Sequence, residues 1–416
     1  MDNDATRWES LISAILPANR FYAAKLADWQ PGQPIPFTTK AELIADQIAH
    51  PPYGSNHSAP RNQYTRLHQT SGTTSGKPLR WLDTPESWQW MLDCWTTIFS
   101  RCGVSAADRL FFPFSFGPFL GFWTAFEAAT RAGWFCLPAG GMATTARLRY
   151  LLEHHATVIC CTPTYALHLA EVAAKEGLPI RESAVRAIIV AGEPGGTIGA
   201  TRQRIEQAWG ARVFDHYGLT EVGPVAVESV AQPETLEVLS DAYIAEVINP
   251  QEDTPTPVGE VGELVLTNLG RLGSPLIRYR TGDLVRHQRT ERGELRLAGG
   301  ILGRTDDMIH IRGNNLYPGS LEAILRRFQE VAEYRVTLEQ TGSLADLFIE
   351  IEPIPTIGDG SRLADRVQRM FRDELLFTPE IVCVPPGTLP RFEMKARRIL
   401  HRSTPIDGVP RGDRIG

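Results

Sequence analysis

Between residues 84 and 209 short apolar runs alternate with amphipathic stretches. Thr84-Pro85-Glu86 reads as a helix start, with Thr84 capping and Pro85 in the first turn. Trp88, Met91, Leu92, Trp95 and Ile98 then recur three or four apart, which puts them on one helical face. The pattern predicts strands at 110–113, 133–138, 157–161 and 185–190, and helices over 118–132, 145–154, 164–176 and 197–209. Runs such as TVICC and VRAIIV lack polar alternation, as strands covered on both faces do. A largely parallel sheet under helices follows, with ligands expected at the carboxyl ends of its strands.

The flanks read differently. Residues 1–50 predict helices separated by a PGQPIP turn, and 51–66 a polar, proline-rich surface loop. From 213 strand-like segments dominate: VAVESV, AYIAEVI, GELVLTNL, LIRYRTGDLV and GELRLAG. They indicate a more antiparallel, β-rich part. Past Asp306 the pattern predicts a strand (308–311), a helix (319–328), two strands (332–338, 344–351), a helix (361–375) and a strand (380–384). The expected architecture is α/β with a β-rich subdomain, divided into a large domain over 1–305 and a small α+β domain over 306–416. The charged PRGDR end reads as a loose tail.

Composition narrows the function classes. Apolar residues make up 43% of the 416 and charged residues 22%, with a formal charge of -6, so a sizeable core is available. No long basic block occurs, which argues against a nucleic-acid partner. The apolar run at 110–126 holds two prolines and two glycines and is short for a span, so no membrane segment is expected. Six cysteines without a CxxC pair fit a reducing cytoplasm. His154, His155, Cys160, Cys161 and His168 lie close in sequence, but adjacent cysteines on a strand point to opposite faces and chelate poorly. Buried thiols and surface histidines are the expected reading.

The densest chemistry is QTSGTTSGKP, residues 69–78. Ser71, Thr73, Thr74 and Ser75 offer hydroxyls, Gly72 and Gly76 let backbone N–H groups turn inward, and Lys77 adds a point charge; such a nest suits a polyphosphate. The spacing is not that of a Walker loop. In YGLTE, Tyr217 can stack on a purine, Thr220 can bond a phosphate oxygen, and Glu221 is an oxygen ligand suited to Mg²⁺. Asp283, after a strand and a glycine in RYRTGDLV, can accept ribose hydroxyls. Phe112, Phe114, Phe116, Phe119 and Trp123 are dense for one short region.

Together with AGEP (191–194), GRTDD (303–307) and LPRFEMKARR (389–398), these motifs resemble the adenylate-forming, or AMP-binding, superfamily. The wording is similar to its phenylacetate–coenzyme A ligase branch. The resemblance implies a large adenylate-forming domain with a small mobile C-terminal domain. It implies ATP, Mg²⁺ and coenzyme A as partners in the activation of a carboxylic acid, aryl or arylacetic in this branch, and usually a homodimer. It places Gly192, Glu193 and Pro194 beside the purine and Arg304 near ribose or α-phosphate. Lys395 becomes the catalytic lysine, Asp306 the hinge, and Arg312 and Gly313 residues that face the site only after rotation. Phe114, Phe116, Gly117, His216 and Gly223 fall on the acyl pocket. The departures are Ser75, inserted before the second glycine, Leu79 in place of a lysine, and Phe392 and Met394 beside Lys395. GPVAVE at 223–228 lacks a glycine and a cysteine of the branch's pattern. A carrier-protein thiol or an amine as acceptor, and a nucleotide-binding regulator without turnover, are the alternatives.

Overall fold

The computed structural model describes all residues except Met1, Pro17, Pro31, 71–77, Arg292, 312–313, 342–343, 358–359, Leu376, 393–395 and 404–416. Helices α1 (Asp2–Ile15), α2 (Arg20–Lys25) and α3 (Lys40–Ala49) precede a hairpin of β1 (Arg66–Gln69) and β2 (Arg80–Asp83). Next come α4 (Pro85–Arg101), β3 (Arg109–Phe112), α5 (Trp123–Arg131), β4 (Phe135–Pro138), α6 (Thr144–Glu153), β5 (Val158–Cys161), α7 (Pro163–Glu176), β6 (Ala187–Val190) and α8 (Gly199–Trp209). Strands β7 (Arg212–Leu219), β8 (Gly223–Ser229), β9 (Gln232–Val238), β10 (Tyr243–Ile248), β11 (Val261–Asn268), β12 (Tyr279–Arg289) and β13 (Leu295–Arg304) follow without an intervening helix. The C-terminal part contains β14 (Ile309–Ile311), β15 (Asn314–Leu316), α9 (Pro318–Leu325), β16 (Val331–Thr341), β17 (Leu344–Pro353), α10 (Gly360–Leu375), β18 (Glu380–Cys383) and β19 (Ile399–Ser403).

The parallel and antiparallel parts are one sheet. Its order is β10-β11-β12-β13-β9-β8-β7-β6-β5-β3-β4, parallel from β4 to β7 and antiparallel beyond. Strand β7 is the junction, because it pairs with β6 on one side and β8 on the other. Every residue of β5 and β6 is buried, as a sheet covered on both faces requires. One face packs on α4 and α5, the other on α6, α7 and α8. Helix α4 starts as expected, with Thr84 accepting from the Ser87 N–H, and buries Trp88, Met91, Leu92, Trp95 and Ile98.

The 118–132 helix is shorter than the sequence pattern predicts. Helix α5 begins only at Trp123, because the preceding residues form a tight loop. The Phe114 ring lies against Gly121, where a Cβ would come within 2.4 Å of it. Trp123 Nε1 donates back to the Gly117 carbonyl at 2.9 Å. The region over 1–50 holds three helices, and α1 and α2 pack with Ile277 in a separate apolar cluster.

The C-terminal sheet, in the order β18-β17-β16-β19, has its own core with α9 and α10. It docks on the rest of the chain through polar contacts. Arg391 Nε and Nη2 meet Glu171 at 2.8 and 2.9 Å, Arg398 Nη1 meets Thr164 Oγ1 at 3.2 Å, and Arg204 donates to the Val331 carbonyl at 3.1 Å.

One buried ion pair fastens the hairpin to the main sheet. Arg271 and Asp83 are both 0% exposed, with Nε–Oδ1 at 2.6 Å and Nη2–Oδ2 at 2.7 Å. The remaining nitrogen, Nη1, donates to the carbonyls of Thr220 and Glu221 at 2.7 and 3.0 Å. Removing one partner strands the other charge in the core. Arg271→Leu should therefore cost about 3–5 kcal/mol in urea unfolding followed by tryptophan fluorescence. Arg271→Leu combined with Asp83→Leu should recover much of that loss. Equal losses in the single and double variants would show that the pair's charges do not set the cost.

Candidate functional site

The carboxyl ends of the parallel strands bring the motifs together. Strand β3 leads into 113–117, β6 into Ala191–Pro194, and β7 into Tyr217–Glu221. The glycine-rich residues 71–77 lie outside the described residues, but their anchors do not. Thr70 and Leu79 close the β1–β2 connection, with Thr70 N–H to the Leu79 carbonyl at 2.9 Å and Leu79 N–H to Thr70 Oγ1 at 3.0 Å. The loop therefore links two strands of a hairpin, and the Asp83–Arg271 pair ties that hairpin to Thr220 and Glu221.

Asp283 and Arg304 face each other across β12 and β13 as directly paired residues. Arg304 Nη1 donates to Asp283 Oδ1 at 2.8 Å, and the Tyr217 hydroxyl donates to Oδ2 at 2.5 Å. Burial pushes the Asp283 carboxyl up, against the pull of the Arg304 charge and the Tyr217 donor. Each oxygen keeps a second lone pair, so the carboxylate can still accept from vicinal hydroxyls. Gly282 sits at φ +76, and a Cβ there would fall 3.0 Å from the Arg304 guanidinium. Glycine thus permits this approach. Arg304 Nε also reaches Asp306 Oδ1 at 2.8 Å, joining the nucleotide candidates to the candidate hinge.

Glu221 is buried at the end of this cluster, and Lys40 Nζ lies 3.4 Å from its Oε1. Lys40 belongs to none of the motifs read from the sequence. It is the first residue of α3, whose capping box (Thr39 with Glu42) is an ordinary helix signal with no chemical signature. A buried carboxylate with a second oxygen available fits a Mg²⁺ ligand, and the neighbouring ammonium suits polyphosphate.

Glu193 has a role the motif did not predict. Its Oε1 accepts from the Thr164 N–H at the start of α7 (2.9 Å), and its Oε2 from the Ala396 N–H (2.7 Å). Its carboxylate is thereby committed to joining the C-terminal part to the sheet, so a base contact at this loop falls to backbone atoms. Gly192 and Pro194 are exposed there. Lys395, Arg312 and Gly313 lie outside the described residues. Ala396, the neighbour of Lys395, is fixed beside the 191–194 loop by the Glu193 bond.

On the acyl side Phe114, Phe116, Phe122, Trp123 and Phe126 form a chain of ring contacts with centroids 4.6–5.8 Å apart. Trp95 extends it to His216, 4.5 Å away. Gly223 lies against Met91 and the Tyr243 hydroxyl, where a Cβ would come within 3.3 and 3.2 Å. Gly117 serves as the acceptor for Trp123.

Beside Tyr217, Asp215 is buried next to Glu228, whose carboxylate pairs with Arg202 and accepts from the Asp215 N–H at 3.0 Å. Burial, and then the Glu228 charge, push the Asp215 carboxyl from 3.8 up to about 7, with Arg202 and Thr197 offsetting part of the rise. A raised carboxyl binds its proton more tightly in the fold than outside it. Its stabilising contribution is complete below the unfolded value of about 3.8 and is lost as pH rises through about 7. Asp215→Asn should gain on the parent in melting temperature as pH is raised from about 5 to about 8. Parallel curves for the two proteins would mean that Asp215 is ionised throughout.

Comparison with known proteins bears on the same residues. The AMP-binding enzyme family model matches residues 18–270, and the model for the AMP-binding enzyme C-terminal domain matches 313–403. The phenylacetate-coenzyme A ligase of Thermus thermophilus is 32% identical over 390 residues, covering 88% of this chain and 86% of the relative. That of Escherichia coli K12 is 30% identical, covering 88% and 84%. Among solved structures, 2-hydroxyisobutyryl-CoA ligase in the postadenylation state with 2-HIB-AMP superposes with a TM-score of 0.90 at 26% identity, covering 96% of this chain and 88% of that one. The same ligase with 2-HIB-AMP and CoA in the thioesterification state gives only 0.71 at 27% identity, covering 96% and 89%. This chain is thus more similar in arrangement to the postadenylation structure of that ligase than to its thioesterification structure. By both family models and by its relatives over most of its length, this chain belongs to the AMP-binding enzyme family, in its phenylacetate–coenzyme A ligase-like branch.

Proposed function

We propose that this ATP-dependent acid–thiol ligase, working through an acyl-adenylate, activates an aromatic (aryl or arylacetic) acid and delivers it to coenzyme A. The observation that carries the reading is the continuous aromatic wall from Trp95 to Trp123, set through the Trp95–His216 contact against β7, the strand that leads into Thr220 and Glu221. A flat apolar acid would bury against it while its carboxylate reaches the nucleotide side. The phenylacetate ligases among the relatives support the same class.

In this reading residues 1–305 bind the nucleotide and the acid, and residues 306–416 form a small domain that turns at Asp306. Asp283 and Arg304 take the ribose, Tyr217 lies along the base with Gly192 and Pro194, and Thr220 and residues 71–77 take phosphate oxygens. Mg²⁺ held by Glu221 would supply charge neutralisation on the departing pyrophosphate. Lys395 stabilises the charge that develops as the carboxylate oxygen attacks the α-phosphorus. The product is a mixed anhydride, open to a thiolate after the small domain has turned and brought Arg312 and Gly313 inward. The chemistry needs positioning and electrostatics rather than a side-chain nucleophile. A homodimer in the cytoplasm is the expected form. A carrier-protein thiol in place of coenzyme A is the second outcome to be tested.

Labelled pyrophosphate should exchange into ATP only when a suitable aromatic acid and Mg²⁺ are both present. Lys395→Ala should slow this exchange by about a hundredfold or more, since it removes charge stabilisation from the transition state. It should spare thioester formation from pre-made acyl-adenylate. Equal loss in both half-reactions would remove Lys395 from the assigned role, and exchange with aliphatic acids alone would overturn the aromatic assignment.

A further inference from the structure

The acyl wall contains one polar group whose protonation state the geometry settles. His216 is 7% exposed and packs on Trp95. Its Nδ1 lies 2.9 Å from the Ala226 carbonyl, which can only accept, so Nδ1 carries the proton. Burial holds the imidazole down at about 4, opposed only in part by that carbonyl, so the ring is neutral near pH 7. Nε2 is then a bare lone pair. No hydrogen bond reaches it from the described residues. Among the described residues the sealed, unpartnered imidazole nitrogens belong to His57, His68, His168 and His287, and Nε2 of His216 is not among them.

Its position gives the lone pair a purpose. Successive residues of a strand face opposite sides, so His216 turns toward α4 while Tyr217 reaches Asp283. Nε2 sits beside Gly218, where a Cβ would be only 3.3 Å from it. It therefore stands between Trp95 of the aromatic wall and Gly218, next along the strand from Tyr217, which in the ligase reading is where the acid's carboxylate meets the nucleotide. A neutral acceptor repels carboxylate oxygens, and because Nε2 is not sealed its lone pair is open to a donor brought by a ligand. The ligand feature that satisfies it is an N–H or O–H near the carboxylate.

Resting on the ligase reading above, we propose that His216 makes this enzyme selective for carboxylic acids that carry an uncharged hydrogen-bond donor, a hydroxyl or arylamino group, close to the carboxylate. A site built around one hydrogen bond rejects the analogue that lacks it more strongly than an apolar pocket rejects an added methylene.

The test compares paired acids by pyrophosphate exchange: mandelate with phenylacetate, salicylate with benzoate, anthranilate with benzoate, and each hydroxy acid with its O-methyl ether. The parent protein should favour the donor-bearing member of at least one pair by about tenfold or more in kcat/KM, and the ether should lose that advantage. His216→Leu should collapse the ratio, whereas His216→Gln, which returns an acceptor oxygen near the Nε2 position, should restore part of it. The parent comparison with the ethers needs no variant, so a misfolded variant does not block the test. Exchange with flat ratios across all pairs, or a ratio unmoved in His216→Leu, overturns this proposal and leaves the ligase reading intact. No exchange with any acid overturns both.

Discussion

The ion pair between Arg271 and Asp83 is the constraint on which the rest of the site depends. A guanidinium and a carboxylate that are both fully enclosed tolerate no slack, because each would otherwise be an unpaired charge in the core. Asp83 ends the strand that follows the glycine-rich residues, and Arg271 also holds the two carbonyls of the Thr220–Glu221 turn. One side chain thus sets the distance between the two elements that share a polyphosphate in the proposed function. The cost of burying it is offset by a full set of acceptors for its donors.

The same economy of geometry divides the site into faces. Strand β7 sends His216 toward the aromatic helix α4 and Tyr217 toward Asp283, so neighbouring residues face the proposed acid side and the proposed nucleotide side without a further element. Arg304 extends the nucleotide face to Asp306, and Glu193 extends the purine loop to Ala396. Both contacts link the sheet to the C-terminal part, which superposes on the postadenylation rather than the thioesterification arrangement of a related ligase. Rotation would have to break the Glu193, Glu171 and Thr164 contacts. The Arg391–Glu171 link is two-pronged and the Arg398–Thr164 link is buried, but all are polar, and among the described residues the C-terminal part keeps an apolar cluster of its own.

Much of this was legible in the sequence because it is local. The Thr84 cap, the apolar face of α4 and the covered strands β5 and β6 follow from spacing alone, and the motifs lie in contiguous words. What escaped has distant partners. Strand β19 exists because it pairs with β16, and β9, with Pro233 and two glutamates, is held by β8 and β13 rather than by its own pattern. Lys40 and Arg271 look like ordinary charged residues until folding brings them to Glu221 and Asp83. The expected start of α5 failed because Phe114 and Gly117 fold the chain back on itself, a contact that helical periodicity does not register. The motif around Glu193 points to a purine loop, and its bond to Ala396 depends on where the C-terminal part docks.

The most direct test of the central claim separates stability from alignment. Calorimetric titration with Mg·ATP would compare the parent with the Arg271→Leu, Asp83→Leu double variant, in which the buried charges are gone but the carbonyls of Thr220 and Glu221 have lost their donor. If the clasp aligns the hairpin with the Thr220–Glu221 turn, the double variant binds ATP about tenfold or more weakly while remaining folded. A folded double variant that binds ATP as tightly as the parent would contradict the account.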